Sequence, residues 1–134
     1  MRRMFITATI LTLYGMVSVA LAEDTPAAAA ARKKLEVKVK VNVENEFLSE
    51  ILADIDGQLD DAGKTKIGWK FDTGVSKNQR VSIKASGTIA KVLADICDKQ
   101  GLGYYVISKP KDRYDGWIIF TKGKERGFED TKKE

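Results

Sequence analysis

Apolar and polar residues alternate strictly where the first regular element of the chain is expected. From Leu35 onward, every second residue is apolar and its neighbours are charged or amidic: Val37, Val39, Val41 and Val43. This period is typical of a strand with one buried face. The apolar spacing then changes to three, four and seven, at Leu48, Ile51, Leu52, Ile55 and Leu59. The change predicts an amphipathic helix with Asn45 as its N-cap and Gly63 at its end.

The same succession of patterns occurs a second time. Ile67 to Phe71 predicts a second strand and Val81 to Ala85 a third, after which Thr88 is the expected N-cap of a second helix that ends at Gly101. Residues 48–55 read LSEILADI and residues 89–96 read IAKVLADI. A strand-helix-strand unit is therefore predicted twice. A hairpin of Tyr104–Ser108 with Trp117–Thr121 completes the predicted order βαββαββ.

The second predicted helix is apolar around most of its circumference. Only Lys91 and Asp95 are polar between Ile89 and Cys97, and their spacing of four places them on one narrow stripe. A single sheet can cover only one face of a helix. The pattern therefore predicts an α+β fold in which two helices pack between two small sheets.

The N-terminus has the three parts of a secretory signal. Arg2 and Arg3 precede an apolar run from Phe5 to Leu21, and Ala20-Leu21-Ala22 provides a small-residue cleavage site. We therefore predict a signal peptide over 1–22, a linker over 23–34 that is rich in alanine and ends in basic residues, a domain over 35–122, and a charged flexible tail over 123–134. The alternative is a retained membrane anchor, because the run approaches the ~20 residues that span a bilayer. Cleavage would leave no membrane-spanning segment.

Charge and residue types exclude several functions. The net charge of +4 falls to +2 once Arg2 and Arg3 are removed, because 21 basic residues then face 19 acidic ones. No field of one sign is left to attract nucleic acid. The sequence has no histidine, so it lacks the usual general base and the usual metal ligand. We predict no enzyme activity, no cofactor and no metal site.

The remaining candidate residues have structural explanations that we favour. Cys97 is the only cysteine and lies on an apolar helix face, which is typical of a buried thiol and allows no internal disulfide. Asp54 and Asp95 could suggest a catalytic carboxylate pair, but both lie about 240° around their helix from the first core residue. The carboxylates at 54, 56, 60 and 61 are too scattered for a calcium loop. Gly101-Leu102-Gly103 lacks the third glycine of a dinucleotide fingerprint.

Aromatic residues form the last candidate site. They could stack on sugars or bases, although three of them lie in alternating strands where core packing is the default. These residues are Trp69, Tyr104, Tyr105, Tyr114 and Trp117. We favour core packing, and the alternative is a small ligand-binding protein or enzyme that uses an aromatic cleft or Cys97.

Several segments together resemble the short N-terminal domain of secretins and TonB-dependent receptors. They are VNVENEFLSEIL from Val41, VSI from Val81, TIAKVL from Thr88 and GLGYYV from Gly101. The resemblance covers about 35–122 and implies two strand-helix-strand units whose helices lie between a two-stranded and a three-stranded sheet. Phe47 departs from the proline that the family often has before the first helix. No barrel, plug or secretin segment follows in this sequence.

The resemblance also implies a function. Such domains bind other envelope proteins and carry no catalytic residues. We therefore expect an exported, periplasmic or outer-membrane-associated interaction domain related to secretion or signalling. Its partners would be an outer-membrane channel, a receptor or a membrane regulator, bound at an exposed strand edge or groove.

Overall fold

A computed structural model describes residues 24–129, which form three helices and six strands. The helices are α1 (Pro26–Lys34), α2 (Leu48–Asp61) and α3 (Ile89–Gln100). The strands are β1 (Lys38–Phe47), β2 (Trp69–Phe71), β3 (Arg80–Thr88), β4 (Gly103–Val106), β5 (Ile118–Thr121) and β6 (Arg126–Gly127). The predicted signal peptide over 1–22 and the last five residues of the predicted tail lie outside the described residues.

The strands form two separate sheets, so the predicted α+β class is confirmed. β1 and β3 pair antiparallel in a two-stranded sheet. The other sheet has the order β2-β5-β4-β6, in which β5 runs parallel to β2 and antiparallel to β4. The resemblance implied that this sheet has three strands, which is wrong. It has four, because β6 pairs in parallel with β4.

One apolar core connects both sheets and the helices. α2 packs on β1, whereas α3 packs on β3 on one side and on β4 on the other. The apolar positions predicted for α2 are all buried, as are Ile89, Val92, Leu93 and Ile96 of α3. The wide apolar arc of α3 is therefore explained by contacts with strands of two different sheets.

The segment predicted to be a linker contains α1, which is docked on the domain. The Thr25 hydroxyl caps this helix by accepting a hydrogen bond from the Ala28 N–H at 3.1 Å, and Pro26 occupies the first turn. The sequence expectation was wrong because α1 has no large apolar residue to reveal a buried face. Its contact is made by alanines, of which Ala28 and Ala31 are buried.

The predicted N-cap of α2 was also wrong. Asn45 belongs to an irregular part of β1 and has a positive φ of 55°, a conformation that asparagine tolerates better than most residues. The helix begins after Phe47, which provides no side-chain cap. Instead, the N–H groups of Leu48 and Ser49 donate to the carbonyls of Gln79 and Lys77, both at 2.9 Å. A distant loop thus satisfies the start of α2.

The caps of α3 agree with the sequence analysis. The Thr88 hydroxyl accepts a hydrogen bond from the Lys91 N–H at 3.2 Å. Gly101 follows the helix with a left-handed φ of 69°, as expected for a glycine cap. The predicted hairpin is also present as β4 and β5.

The predicted flexible tail is partly ordered. Arg126 and Gly127 form β6, and the Arg126 guanidinium donates to the Leu102 carbonyl at 2.9 Å and pairs with Asp98. The pattern of charged residues could not predict this strand because it is only two residues long. Among residues 24–129, no helix is both long enough and apolar enough to cross a bilayer.

Candidate interaction surface

The structure places the Cys97 side chain in the core. Cys97 is 0 % exposed, and burial raises the pKa of its thiol from 9.0 to about 12. An open pocket of about 420 Å³ borders this residue between α3 and the segment 122–126, but the side chain itself is covered. A nucleophilic cysteine needs an accessible thiolate. The Cys97 side chain is covered, and its thiol stays protonated at neutral pH.

The two equivalent aspartates do not form a catalytic pair. The Asp54 carboxylate accepts a hydrogen bond from Gln58 Nε2 at 3.2 Å, while Asp95 forms an ion pair with Lys91 at 2.8 Å. Each of these contacts lies within a single helix and near solvent. Among the described residues, no group of three or more acidic or cysteine side chains could hold a metal ion.

Asp56 has a structural role that the sequence analysis missed. Its carboxylate accepts hydrogen bonds from the Ile67 N–H at 3.0 Å and from Trp69 Nε1 at 2.9 Å. The side chain therefore joins α2 to the start of β2. An indole N–H that loses contact with water needs an acceptor, so Trp69, which is partly buried, was a signal that a polar group lies nearby.

The aromatic residues are divided between different surfaces. Phe120 is fully buried and stacks with both Trp69 and Phe71, at centroid distances of 6.1 and 5.6 Å. Tyr104 is opposite Phe120 in the sheet and is also buried. These residues therefore belong to the core face, as we favoured from the sequence.

The other aromatic residues lie away from that face, so the predicted core packing is wrong for Trp117. Tyr105 follows Tyr104 in β4 and points to the opposite side of the sheet. Tyr114 and Trp117 form an edge-to-face pair at 4.8 Å. The pockets that border Cys97 and Trp117 are lined by different residues. Cys97, Trp69 and Trp117 therefore do not line one common cleft.

The two-stranded sheet presents two outer edges that differ in how their backbone groups are satisfied. At the β1 edge, the Lys40 N–H donates to Gln58 Oε1 at 3.0 Å, and Gln58 Nε2 donates to the Lys40 carbonyl at 2.8 Å. A side chain of α2 thus occupies the position that the backbone of a neighbouring strand would take. The middle of the β1 edge is closed.

The outer edge of β3 is open. Because the Lys40 backbone groups point outward, its cross-strand partner Ser86 belongs to a pair that is not joined by ladder hydrogen bonds. The backbone groups of Ser86 therefore also point outward, and those of Lys84 do so by the same alternation. Among the contacts of residues 24–129, no side chain or strand occupies these outward groups as Gln58 does on β1.

Within residues 24–129, β3 is also the longest strand whose outer edge is open. β3 has nine residues, whereas the outermost strands of the other sheet, β2 and β6, have three and two. Short strands offer few backbone groups to a partner. We name the outward backbone groups of residues 82–88 the β3 edge, and we regard it as the candidate site for a binding partner.

The solvent face of the two-stranded sheet is polar and basic. Lys38, Lys40 and Asn42 of β1 lie opposite Thr88, Ser86 and Lys84 of β3, respectively. An open depression of about 360 Å³ lies over the middle of this face and is bordered by Lys40, Asn42, Lys84 and Ser86. We name these six side chains the lysine face.

Comparisons with known proteins provide no family assignment. No protein-family model, no curated protein and no solved structure matches this chain.

Proposed function

We propose that this protein is a non-catalytic interaction domain of the cell envelope that binds a partner protein by adding a strand at the β3 edge. The open edge of the nine-residue strand β3 carries this proposal. Unpaired N–H and C=O groups in a row are a template for an extended peptide, and main-chain hydrogen bonds can supply the affinity.

The order of the elements supports the proposed relationship to the short N-terminal domains of secretins and TonB-dependent receptors. β1, α2 and β2 form one strand-helix-strand unit, and β3, α3 and β4 form the other. In both units, the strand before the helix lies in the two-stranded sheet and the strand after it lies in the four-stranded sheet. The repeated LADI segments thus occupy equivalent places in the fold. Export by the N-terminal segment over 1–22 would bring the domain to the periplasm.

Site-specific crosslinking in intact cells tests the proposal. A photoreactive amino acid at Ser86 would lie at the β3 edge, whereas the same residue at Ser76 would lie in the exposed loop between β2 and β3. We expect position 86 to capture a reproducible envelope protein that mass spectrometry identifies, and position 76 to capture little of it. Equal capture at both positions, or no capture at position 86, would contradict the proposal.

A second measurement tests the mode of binding. Proline at residue 86 removes an outward N–H from the β3 edge but no ladder hydrogen bond between β1 and β3. Ser86→Pro should therefore abolish capture, tested with the photoreactive residue at position 82, while circular dichroism shows a folded protein. Ser86→Ala changes only the side chain and is the matched control, for which capture should remain.

A further inference from the structure

The lysine face adds a chemical requirement to the β3 edge. We propose that the strand bound there is acidic, with Asp or Glu at alternate positions on the side that faces solvent. This inference rests on the proposed function, because it names the chemistry of the partner at the same edge.

The first argument is the position of Lys84. This residue lies in the middle of β3, and its side chain is on the solvent face of the sheet. A residue of an added strand directly opposite Lys84 would have its Cβ about 4.5–5.5 Å away. Ser82 and Ser86, two residues to either side, are short and leave room for a carboxylate to reach the ammonium group.

The second argument is the charge of the surrounding face. Lys38 and Lys40 lie on the neighbouring strand and on the same face. None of the six side chains of the lysine face is acidic, and none of its lysines takes part in the ion pairs found among residues 24–129. Among residues 24–129, these lysines therefore have no ion-pair partner that an added strand with carboxylates on this side would have to displace.

The third argument is selectivity. Lysine on an open strand is a common device that opposes pairing with arbitrary apolar strands. Lys84 would also repel a basic strand, since like charges placed opposite each other are unfavourable. The same residue thus rejects two classes of strand and accepts the acidic class.

A protein strand fits this surface better than an anionic membrane. Lipid-binding clusters have about 4–8 basic residues, whereas this face has Lys38, Lys40 and Lys84. Lipid headgroups would also leave the aligned backbone groups of the β3 edge unused. Only a ligand that has a backbone of its own would use these groups and Lys84 together.

Peptide selection tests the inference. A display library of random nonapeptides is selected on the purified exported chain, and the winning peptides are synthesised and measured by fluorescence anisotropy. We expect Asp or Glu at alternate positions in the winners.

Lys84→Glu should weaken their binding about tenfold. Lys109→Glu, an equal charge change at an exposed turn residue, should have little effect. Selection on the Lys84→Glu variant should favour Lys or Arg instead.

The other outcomes separate this inference from the proposed function. Uncharged peptides that shift the amide resonances of Lys84 and Ser86, and that bind the Lys84→Glu variant equally well, would overturn the acidic requirement and leave edge binding intact. Peptides that shift other resonances would overturn it too. Recovery of no peptide would count against the inference, and crosslinking at Ser86 would then decide whether edge binding itself survives. Lys84-dependent binding only to phosphatidylglycerol vesicles would replace a protein partner with a membrane.

Discussion

At the residue scale, single polar side chains hold together elements that the apolar core alone would leave loosely connected. Asp56 is the clearest example, because its carboxylate bonds both a backbone N–H and the Trp69 indole. Hydrogen bonds to charged groups contribute more than those between neutral groups. The segment between α2 and β2 is otherwise exposed from Asp60 to Lys66, so Asp56 fixes the point at which the chain re-enters the core.

Replacing Asp56 should destabilise the protein more than replacing its neighbour on the helix. We expect Asp56→Ala to lower the free energy of unfolding by about 1.5–3 kcal/mol, because two donors lose a charged acceptor. Asp54→Ala is the matched control and should cost less than about 0.5 kcal/mol, since Asp54 is exposed and its one side-chain hydrogen bond among residues 24–129 is with Gln58. Urea unfolding followed by Trp fluorescence measures both. Equal effects would show that the Asp56 bonds contribute no net stability.

Cys97 should make stability depend on pH in alkaline solution. The folded pKa is about 12 and the ordinary value is 9.0, so the unfolded chain loses this proton first as pH rises. The thiol therefore contributes its full stability below pH 9, and this contribution decreases between pH 9 and 12. The stability advantage of the wild type over Cys97→Ala should fall in this window, with a slope that approaches about 1.4 kcal/mol per pH unit.

Thiol labelling provides an independent check on Cys97. In the folded protein at pH 8, a disulfide reagent should react with this thiol far more slowly than in urea, because the side chain is covered and protonated. Rapid labelling under native conditions would mean that the thiol is accessible. It would also make the lone-nucleophile reading of Cys97 worth testing again.

Residue roles were predictable from sequence where they depend on position along one element. Thr88 and Gly101 act at the ends of α3, and their types identify those roles directly. Asp56 was not predictable in this way, because its donors lie 11 and 13 residues further along the chain. Helical periodicity assigns a carboxylate to a polar face but contains no information about what folds against that face.

At the element scale, the repeated apolar patterns predicted both large helices and the strands beside them, whereas small and short elements were missed. α1 packs on the domain through alanines, which bury little apolar surface. Hydrogen bonds at the start of the helix add to this contact. The Thr25 hydroxyl donates to Asp115 at 2.6 Å, and the Thr25 N–H donates to the Ser108 hydroxyl at 3.0 Å. Both partners lie more than 80 residues away, so local patterns could not reveal them.

Two glycines, one inside α2 and one just after it, provide a test of backbone conformation with little interference from packing. A Cβ added at Gly57 or at Gly63 would meet no heavy atom within 4 Å. Gly57 is exposed inside the helix, while Gly63 follows the helix with a positive φ of 79°. The two positions therefore differ in the conformation that an alanine would have to adopt.

Alanine should have opposite effects at these two positions. Gly57→Ala should stabilise the protein by about 0.4–1 kcal/mol, because alanine restricts the unfolded chain and favours the helix. Gly63→Ala should destabilise it by about 1–2 kcal/mol, because the left-handed conformation is unfavourable for a residue with a Cβ. Thermal and urea unfolding measure both changes. A destabilising Gly57→Ala would imply a contact at this helix face that the described residues do not supply.

At the scale of the whole molecule, the first and last described segments meet and close one end of the fold. Arg32 of α1 pairs with Asp24 at 2.6 Å, donates to the Gly127 carbonyl of β6 at 2.7 Å, and lies 4.0 Å from the ring centroid of Phe128. β6 in turn covers the outer side of β4. Among residues 24–129, the β3 edge is then the longest open edge, which is the basis of the proposed function.

The effect of Arg32 should be local to the two segments that it joins. Arg32→Lys retains the positive charge but loses the planar fork that reaches Asp24 and Gly127 together. We expect amide hydrogen exchange in β6 and α1 to become about tenfold faster, while β1 and β3 exchange as before, since neither strand depends on the Arg32 contacts. Arg113→Lys is the control, because Arg113 is exposed and forms no ion pair with the described residues, although it lies 5.2 Å from the Tyr114 ring centroid. If exchange accelerates equally throughout the domain, the two segments contribute to global stability and do not open separately. If it changes nowhere, the ordering of β6 depends on Arg126 alone, through its bonds to Leu102 and Asp98.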